Sequence, residues 1–264
     1  MASSIYQSGE ILKLEDIVFT AMFGDYETLN EVPEEILSKC KFICFTDSPQ
    51  LQSQTWNVVQ VAPLVPGDSV KSSRAVKMLG HQNFPAGTRS LYVDNTVQLL
   101  VDPEIILDEW LRDCSLAYMH HSTRKTVRDE FFVCAVYGLD SFKKIFEQYN
   151  YYKQKFPNVL REKPFWGGMI ARVTCEDVNK FMNEWFTQYM RFARRDQLAI
   201  NAASKLSGIT ISPVDGRNDL NWSHKWPISK NRKVSTRYRN RGVFLRKLLL
   251  ILNGLRYAPR FYLF

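Results

Sequence analysis

The sequence predicts an α/β fold, a sheet with helices on both faces, carried by one domain and followed by a basic tail. Apolar runs of strand length alternate along the chain with segments of helical periodicity, the pattern of a buried sheet covered on two sides. A hydrophobic content of 45% over 264 residues, with 13% aromatic residues, suffices for one large core. Charge is divided unevenly. Beyond Asp219 the chain has four Lys, seven Arg and no acidic residue, against a net +8 for the whole, so the body before it is mildly acidic. The boundary falls between a domain over residues 1–227 and a tail over 228–264.

In chain order, Ile17–Met22 reads as a strand stopped by Gly24 and Asp25, and residues 33–39 as a short helix. Lys41–Thr46 is a second strand, ended by Asp47, and 56–61 a third. Residues 71–79 have helical spacing, and 91–93 form the strand before Asp94. After a turn on Asn95, residues 97–100 leave as another apolar strand. Residues 103–112 are helical with Pro103 in the first turn, 116–119 a strand, and 127–136 and 141–155 helices. Residues 169–172 form a strand after Gly167 and Gly168. A long helix over 176–194 places Val178, Phe181, Trp185 and Phe192 on one apolar face, and 197–206 is the last helix of the body. In the tail, 230–241 reads as a solvated linker and 242–252 as a basic amphipathic helix.

Composition excludes several classes. Cys40, Cys44, Cys114, Cys134 and Cys175 are an odd number without framework spacing, which suits buried thiols in a reducing compartment. Cys40 and Cys44 lack a second Cys/His pair at zinc spacing. The N-terminal residues show no basic region followed by an apolar one, and the longest aliphatic run, 248–252, is far short of a membrane span. A cytoplasmic protein is expected, peripheral on an anionic membrane surface through the tail, with Val243, Phe244, Leu245, Leu248, Leu249 and Leu252 inward. The tail reads alternatively as a phosphate-backbone binder or as a helix packed on the body. The acidic body and the lack of an RNA or DNA motif argue against nucleic acid.

Ligands of open α/β sheets bind at the carboxyl ends of the strands. Asp25, Asp47, Asp94 and His120 each closely follow a predicted strand. A lone carboxylate at a buried strand end is costly unless a metal ion or a sugar hydroxyl pairs with it, although Asp94-Asn95 taken alone also reads as a hairpin turn. Arg74 and Lys77 share a helix face, as a solvated surface or as two cations for a diphosphate leaving group. Trp166 precedes Gly167 and Gly168, a bulky platform beside glycines that let backbone approach a ligand, or a plain turn. Asp196 opens a helix, as an N-cap or as an acid aimed at a ligand. His120 and His121 point to opposite sides if the strand continues, so one faces the edge, to bind a sugar hydroxyl or act as a base.

Several pieces occur in a specific order: Arg74-Ala75-Val76-Lys77-Met78-Leu79, Phe84-Pro85, Ser90-Leu91-Tyr92-Val93-Asp94 and Leu99-Leu100-Val101-Asp102-Pro103. His121-Ser122-Thr123-Arg124 with Glu130, Trp185-Phe186 and the stretch from Arg191 to Leu198 follow. Over residues 15–226 this set resembles the glycosyltransferase-like family formerly called domain of unknown function 616, which includes plant mucilage and turgor-regulation proteins and microbial relatives. The resemblance implies a GT-A-like domain with a central mixed, mostly parallel sheet flanked by helices, and a hexosyl- or pentosyltransferase. Such an enzyme takes a nucleotide-diphosphate sugar and passes the sugar to a glycan or glycolipid acceptor.

The same resemblance implies roles. Asp25 and Asp47 would contact the nucleoside, and Arg74, Lys77 and Lys225 the diphosphate. Trp166, Gly167, Gly168, Arg195 and Gln197 would line the donor pocket, with Asp196 and His121 catalytic. Asp94-Asn95-Thr96 stands where GT-A enzymes often carry Asp-x-Asp, with the second acid missing. Mn or Mg would therefore be held by Asp94 with His224, the latter in a segment similar to the late His region of some retaining transferases. Two alternatives remain. One is an amide hydrolase of ceramide type, for which no Gly-x-Ser-x-Gly or His-Glu-x-x-His element is present. The other is a non-enzymatic protein that binds nucleic acid or membrane through its tail.

Overall fold

Six consecutive buried residues make the first strand, β1 (Ile17–Met22), as expected of a strand covered on both faces. The computed structural model describes residues 14–24, 27–36 and 39–228. After β1 come β2 (Lys41–Thr46), β3 (Asn57–Gln60), α1 (Ser69–Leu79), β4 (Arg89–Val93), β5 (Gln98–Leu99) and α2 (Pro103–Trp110). Then follow β6 (Leu116–His120), α3 (Val127–Tyr137), α4 (Phe142–Lys155), β7 (Phe165–Val173), α5 (Glu176–Arg191), α6 (Ile200–Ser207), β8 (Ser212–Val214) and β9 (His224–Lys225).

Among the described residues, seven strands form a mixed sheet in the order β3-β2-β1-β4-β7-β6-β8. Strand β7 runs antiparallel to both its neighbours, β4 and β6, and the remaining pairs are parallel. The sheet is flanked by helices, as the alternation of patterns predicts. Successive residues of a strand face opposite ways. Val18, Leu91, Met119 and Ala171 pack with Ile106, Leu107 and Trp110 of α2 on one face. Phe19, Tyr92, Tyr118 and Ile170 pack with Phe181, Met182 and Trp185 of α5 and Ile200 and Ala203 of α6 on the other. A third cluster joins α3, α4 and α6 through Phe131, Ile145, Tyr152 and Ala202.

Local chemistry sets the helix ends. Asp68 accepts from the Lys71 amide to cap α1, and Thr126 with Asp129 forms a capping box on α3. Helix α3 closes on Gly138 at φ 62°, a left-handed conformation that glycine adopts without strain.

Several expectations change. The helix over 33–39 is a single 3-10 turn, Glu34–Ile36, with 37–38 outside the described residues. Residues 94–97 do form a turn, the Val97 amide donating to Asp94 O, but no hairpin follows: β5 pairs with β9, so that Leu99 lies opposite His224. Strand β7 begins at Phe165, which puts Trp166, Gly167 and Gly168 inside the sheet rather than in a turn. Strands β8 and β9 have no clear pattern in the sequence. All five cysteines are free thiols, and no described helix is long and apolar enough to cross a membrane. The tail helix and linker lie outside the described residues.

Candidate functional site

Strand β4 ends at Val93, and the next residue, Asp94, is fixed against β7 by its amide, which donates to Gly168 O at 2.8 Å. Its carboxylate accepts from the hydroxyl of Tyr92 at 2.8 Å, two residues earlier on the same strand face. Helix α1 presents Arg74 and Lys77 to this carboxylate, each at 3.5 Å from Oδ1. The same two cations meet Asp196: Lys77 Nζ at 2.7 Å and Arg74 Nε at 3.3 Å from Oδ2. Sequence spacing predicts the shared face of Arg74 and Lys77; the fold supplies the two acids. The four side chains form a neutral quartet, with Lys77 and Asp196 buried and Arg74 and Asp94 partly open to solvent.

Asp196 stands at the head of a 3-10 turn, Asp196–Ala199, which leads into α6. Its carboxylate caps no helix. Oδ1 accepts from the Gln197 amide at 3.1 Å, and its main-chain O accepts from the Trp185 indole at 2.9 Å. Burial alone would raise this carboxyl, but Lys77, Arg74 and Arg195 hold it well below the ordinary carboxylate range. It is therefore an ionised hydrogen-bond acceptor and a weak base.

Two features of β7 set the position of Lys77. Arg172, fully buried, donates to the carbonyls of Lys77 at 2.9 Å and Met78 at 3.4 Å, a cation at the C-terminal end of α1. Burial draws its guanidinium down to about 10. Gly167 lets the strand lie against the ion pair. A Cβ there would stand 3.1 Å from Lys77 Nζ and 3.7 Å from Asp196 Oδ2. Two buried donors near Asp196, Gln197 Nε2 and the Tyr189 hydroxyl, have no partner within the protein. A buried donor left so costs stability unless a ligand meets it.

A second charged cluster adjoins the first. Glu130, buried in α3, accepts from Arg195 Nε and Arg124 Nε, both at 3.2 Å. Burial would raise its carboxyl, and Arg195, His121 and Arg124 outweigh this and lower it. His121 sits beside this group, and burial, then Arg124 and Arg195, lower it to about 4 against the opposing pull of Glu130. Its Nδ1 accepts from the Thr123 amide at 3.2 Å, which assigns the proton to Nε2 and makes the ring a neutral donor. His120 instead stacks on Phe165 at 4.7 Å.

Other expected site residues stand elsewhere. Trp166 is not a platform for a sugar: it is buried, with His224 stacked at 5.3 Å and a Gly168 Cβ position only 2.1 Å from its ring. Lys225 is exposed on β9 opposite Gln98, with no part in the quartet. Asp47 accepts from the Gly24 amide at 3.0 Å, closing the loop after β1. Asp25 lies outside the described residues.

A divalent cation on Asp94 and His224 does not fit these residues. His224 is fully buried, Nε2 against Asn218 O at 3.0 Å and Nδ1 against Ser223 Oγ at 2.9 Å, so neither ring nitrogen remains for a metal. Burial lowers its pKa and the Asn218 contact partly offsets this. Thr96 Oγ1 accepts from the Trp226 indole, and the Asn95 amide is spent on Asn30 and Thr28. Among the described residues no group of three or more His, Cys, Asp or Glu stands where it could hold a metal ion.

Sequence reasoning missed Tyr92, Arg172 and Tyr189. Tyr92 shares a strand face with Asp94, and Arg172 is a lone cation in an apolar strand; both signals were present. Tyr189 carried none.

The fold is loosely similar to the apo structure of the WbbM bifunctional glycosyltransferase, with a TM-score of 0.43 at 10% identity over 78% of this chain and 40% of that one. It is similar to the same degree to apo mouse xyloside xylosyltransferase 1, with a TM-score of 0.41 at 9% identity over 76% and 85%. No residue role is carried over from either. In sequence the chain is 29% identical over 155 residues to an Arabidopsis thaliana protein described as a probable hexosyltransferase, MUCI70. That stretch covers 55% of this chain and only 27% of the relative. The family model described as TOD1/MUCI70, glycosyltransferase-like domain, matches residues 7–211, and the chain belongs to that family.

Proposed function

We propose that this protein is a glycosyltransferase that moves a hexosyl or pentosyl group from a nucleotide-diphosphate donor to a glycan or glycolipid acceptor. The observation that carries the reading is the quartet of Arg74, Lys77, Asp94 and Asp196 at the end of β4, pressed against the glycines of β7. When the bond between sugar and diphosphate breaks, negative charge gathers on the leaving phosphate. Preset cations in a partly buried site stabilise that charge without reorganising at the moment of reaction. Asp94, braced by Tyr92, and Asp196, braced by Trp185, hold the two cations in place. Asp196 serves as an acceptor for a sugar hydroxyl rather than as the base, because its carboxyl is held so low. His121 donates from Nε2 to a donor or acceptor oxygen.

The reading is tested by donor hydrolysis and transfer across a panel of nucleotide sugars, with Asp94→Ala alongside. Activity on at least one donor is expected, with a large loss in the variant. An unchanged variant removes Asp94 from the site, and silence across the panel removes the reading. The amide-hydrolase alternative gains no support, since the chain carries no Gly-x-Ser-x-Gly or His-Glu-x-x-His element. The basic tail supports a peripheral site of action, which binding to anionic against neutral vesicles tests.

A further inference from the structure

We infer that this site neutralises the donor's diphosphate with Lys77 and Arg74 themselves, and that it turns over without a divalent cation. The inference rests on the transferase reading above. A hard dication needs several oxygen ligands. Here Asp94 Oδ1 already takes the Tyr92 hydroxyl and faces two cations at 3.5 Å, and Asp196 Oδ2 takes Lys77 at 2.7 Å. A dication on those oxygens would have to displace the two cations that already pair with them. The side chains that could complete a metal shell, Asn95, Thr96 and His224, are each committed to a structural hydrogen bond.

The missing second acid in Asp94-Asn95-Thr96 is thus matched by a compensating feature. A lysine ammonium is almost never fully buried unless it is paired. Lys77 is 1% exposed, lies at the meeting point of two carboxylates, and faces Gly167, where a Cβ would stand 3.1 Å from its Nζ. It has three N–H donors and two carboxylate contacts, so one donor is left for a phosphate oxygen. The unpartnered Gln197 Nε2 and Tyr189 hydroxyl add two more donors and no acid. The buried side-chain groups that await a partner beside Asp196, Gln197 Nε2 and the Tyr189 hydroxyl, can both donate, which suits an anion.

The test uses the full chain freed of metal with EDTA. Uridine and guanosine diphosphates, and the bare nucleosides, are titrated by calorimetry with and without added Mn²⁺ or Mg²⁺. At least one diphosphate should bind in EDTA, with affinity changing by less than about 3-fold on adding metal and falling as salt rises. Arg74→Gln should weaken that diphosphate by about 10-fold and leave the nucleoside unchanged, with partial rescue by Arg74→Lys. Diphosphate binding or sugar transfer that appears only with metal overturns the inference and leaves the transferase reading standing. An Arg74→Gln variant that binds the diphosphate as wild type also overturns it. No diphosphate bound under either condition, together with no donor turned over, removes both.

Discussion

The ammonium of Lys77 and the carboxylate of Asp196 meet at 2.7 Å across 119 residues of chain, with only 1% and 4% of their side chains exposed. The site is therefore also part of the core, joining α1 to the turn before α6. Removing one member of a buried pair strands the other charge, typically at about 3–5 kcal/mol. Lys77→Met should fall near the lower end, because Arg74 remains 3.3 Å from Asp196. Lys77→Met with Asp196→Leu should recover part of that loss in urea denaturation. A double variant as unstable as the sum of the singles would show that the pair is not coupled.

Gly167→Ala tests the approach of β7. The added methyl lies 3.1 Å from Lys77 Nζ, tighter than an ordinary contact, so the ammonium must give way. Melting temperature should shift little while donor turnover falls by about 10- to 100-fold, as expected when a reacting group is displaced by a fraction of an ångström. Unaltered turnover would place the reaction away from Lys77.

Tyr92→Phe removes the hydroxyl that donates to Asp94 at 2.8 Å and leaves the ring in its edge contact with Phe19. A hydrogen bond to a charged group is worth about 1.5–3 kcal/mol, less for an acid partly open to water. We expect a stability loss of about 1 kcal/mol or less and a clear drop in kcat, read by chemical denaturation and donor turnover. A stability loss with full activity would make Tyr92 a core residue alone.

All four histidines are shifted downward, each chiefly by burial: His121 to about 4, His81 to about 2, and His120 and His224 by direction. Unfolded histidines titrate near about 6.5. Between the folded and unfolded values the unfolded chain binds protons that the native chain does not, so stability rises with pH through that window and levels off above it. Asp196, depressed when folded, adds stability that is present above the unfolded carboxylate value and lost in stronger acid. Melting temperature should climb from about pH 4.5 to about 7 and then flatten. A flat profile across that range would show that the rings are not held neutral.

What the sequence reveals follows from what is local. Ile17–Met22 and Lys41–Thr46 are recognisable to the residue because an apolar run in a doubly covered strand needs no partner to be seen. Arg74 and Lys77 are legible as a pair because three residues make nearly one turn. Their meeting with Asp196 is not, since it depends on how α1 and the turn before α6 pack. The partner of the strand after Asp94 is hidden for the same reason: the hairpin reading would pair it with the strand before, but periodicity marks a strand and not its neighbour, and Leu99 lies opposite His224. Trp166 shows a different limit. An indole before two glycines has the composition of a ligand platform, and only the ring stacked on it reveals that its face is already taken.

The two-residue strand β9 ties the end of the described chain to the candidate site. Beyond residue 211, where the family match stops, the chain returns to the turn that carries Asp94. It pairs His224 with Leu99, lays a ring on Trp166, and fastens Thr96 through the Trp226 indole and the Ile228 amide. A version shortened to 211 would uncover an indole and loosen the backbone two residues from the key acid, whereas one ending at 228 would keep every one of those ties. These fastenings lie past residue 211, beyond the stretch that the family match covers.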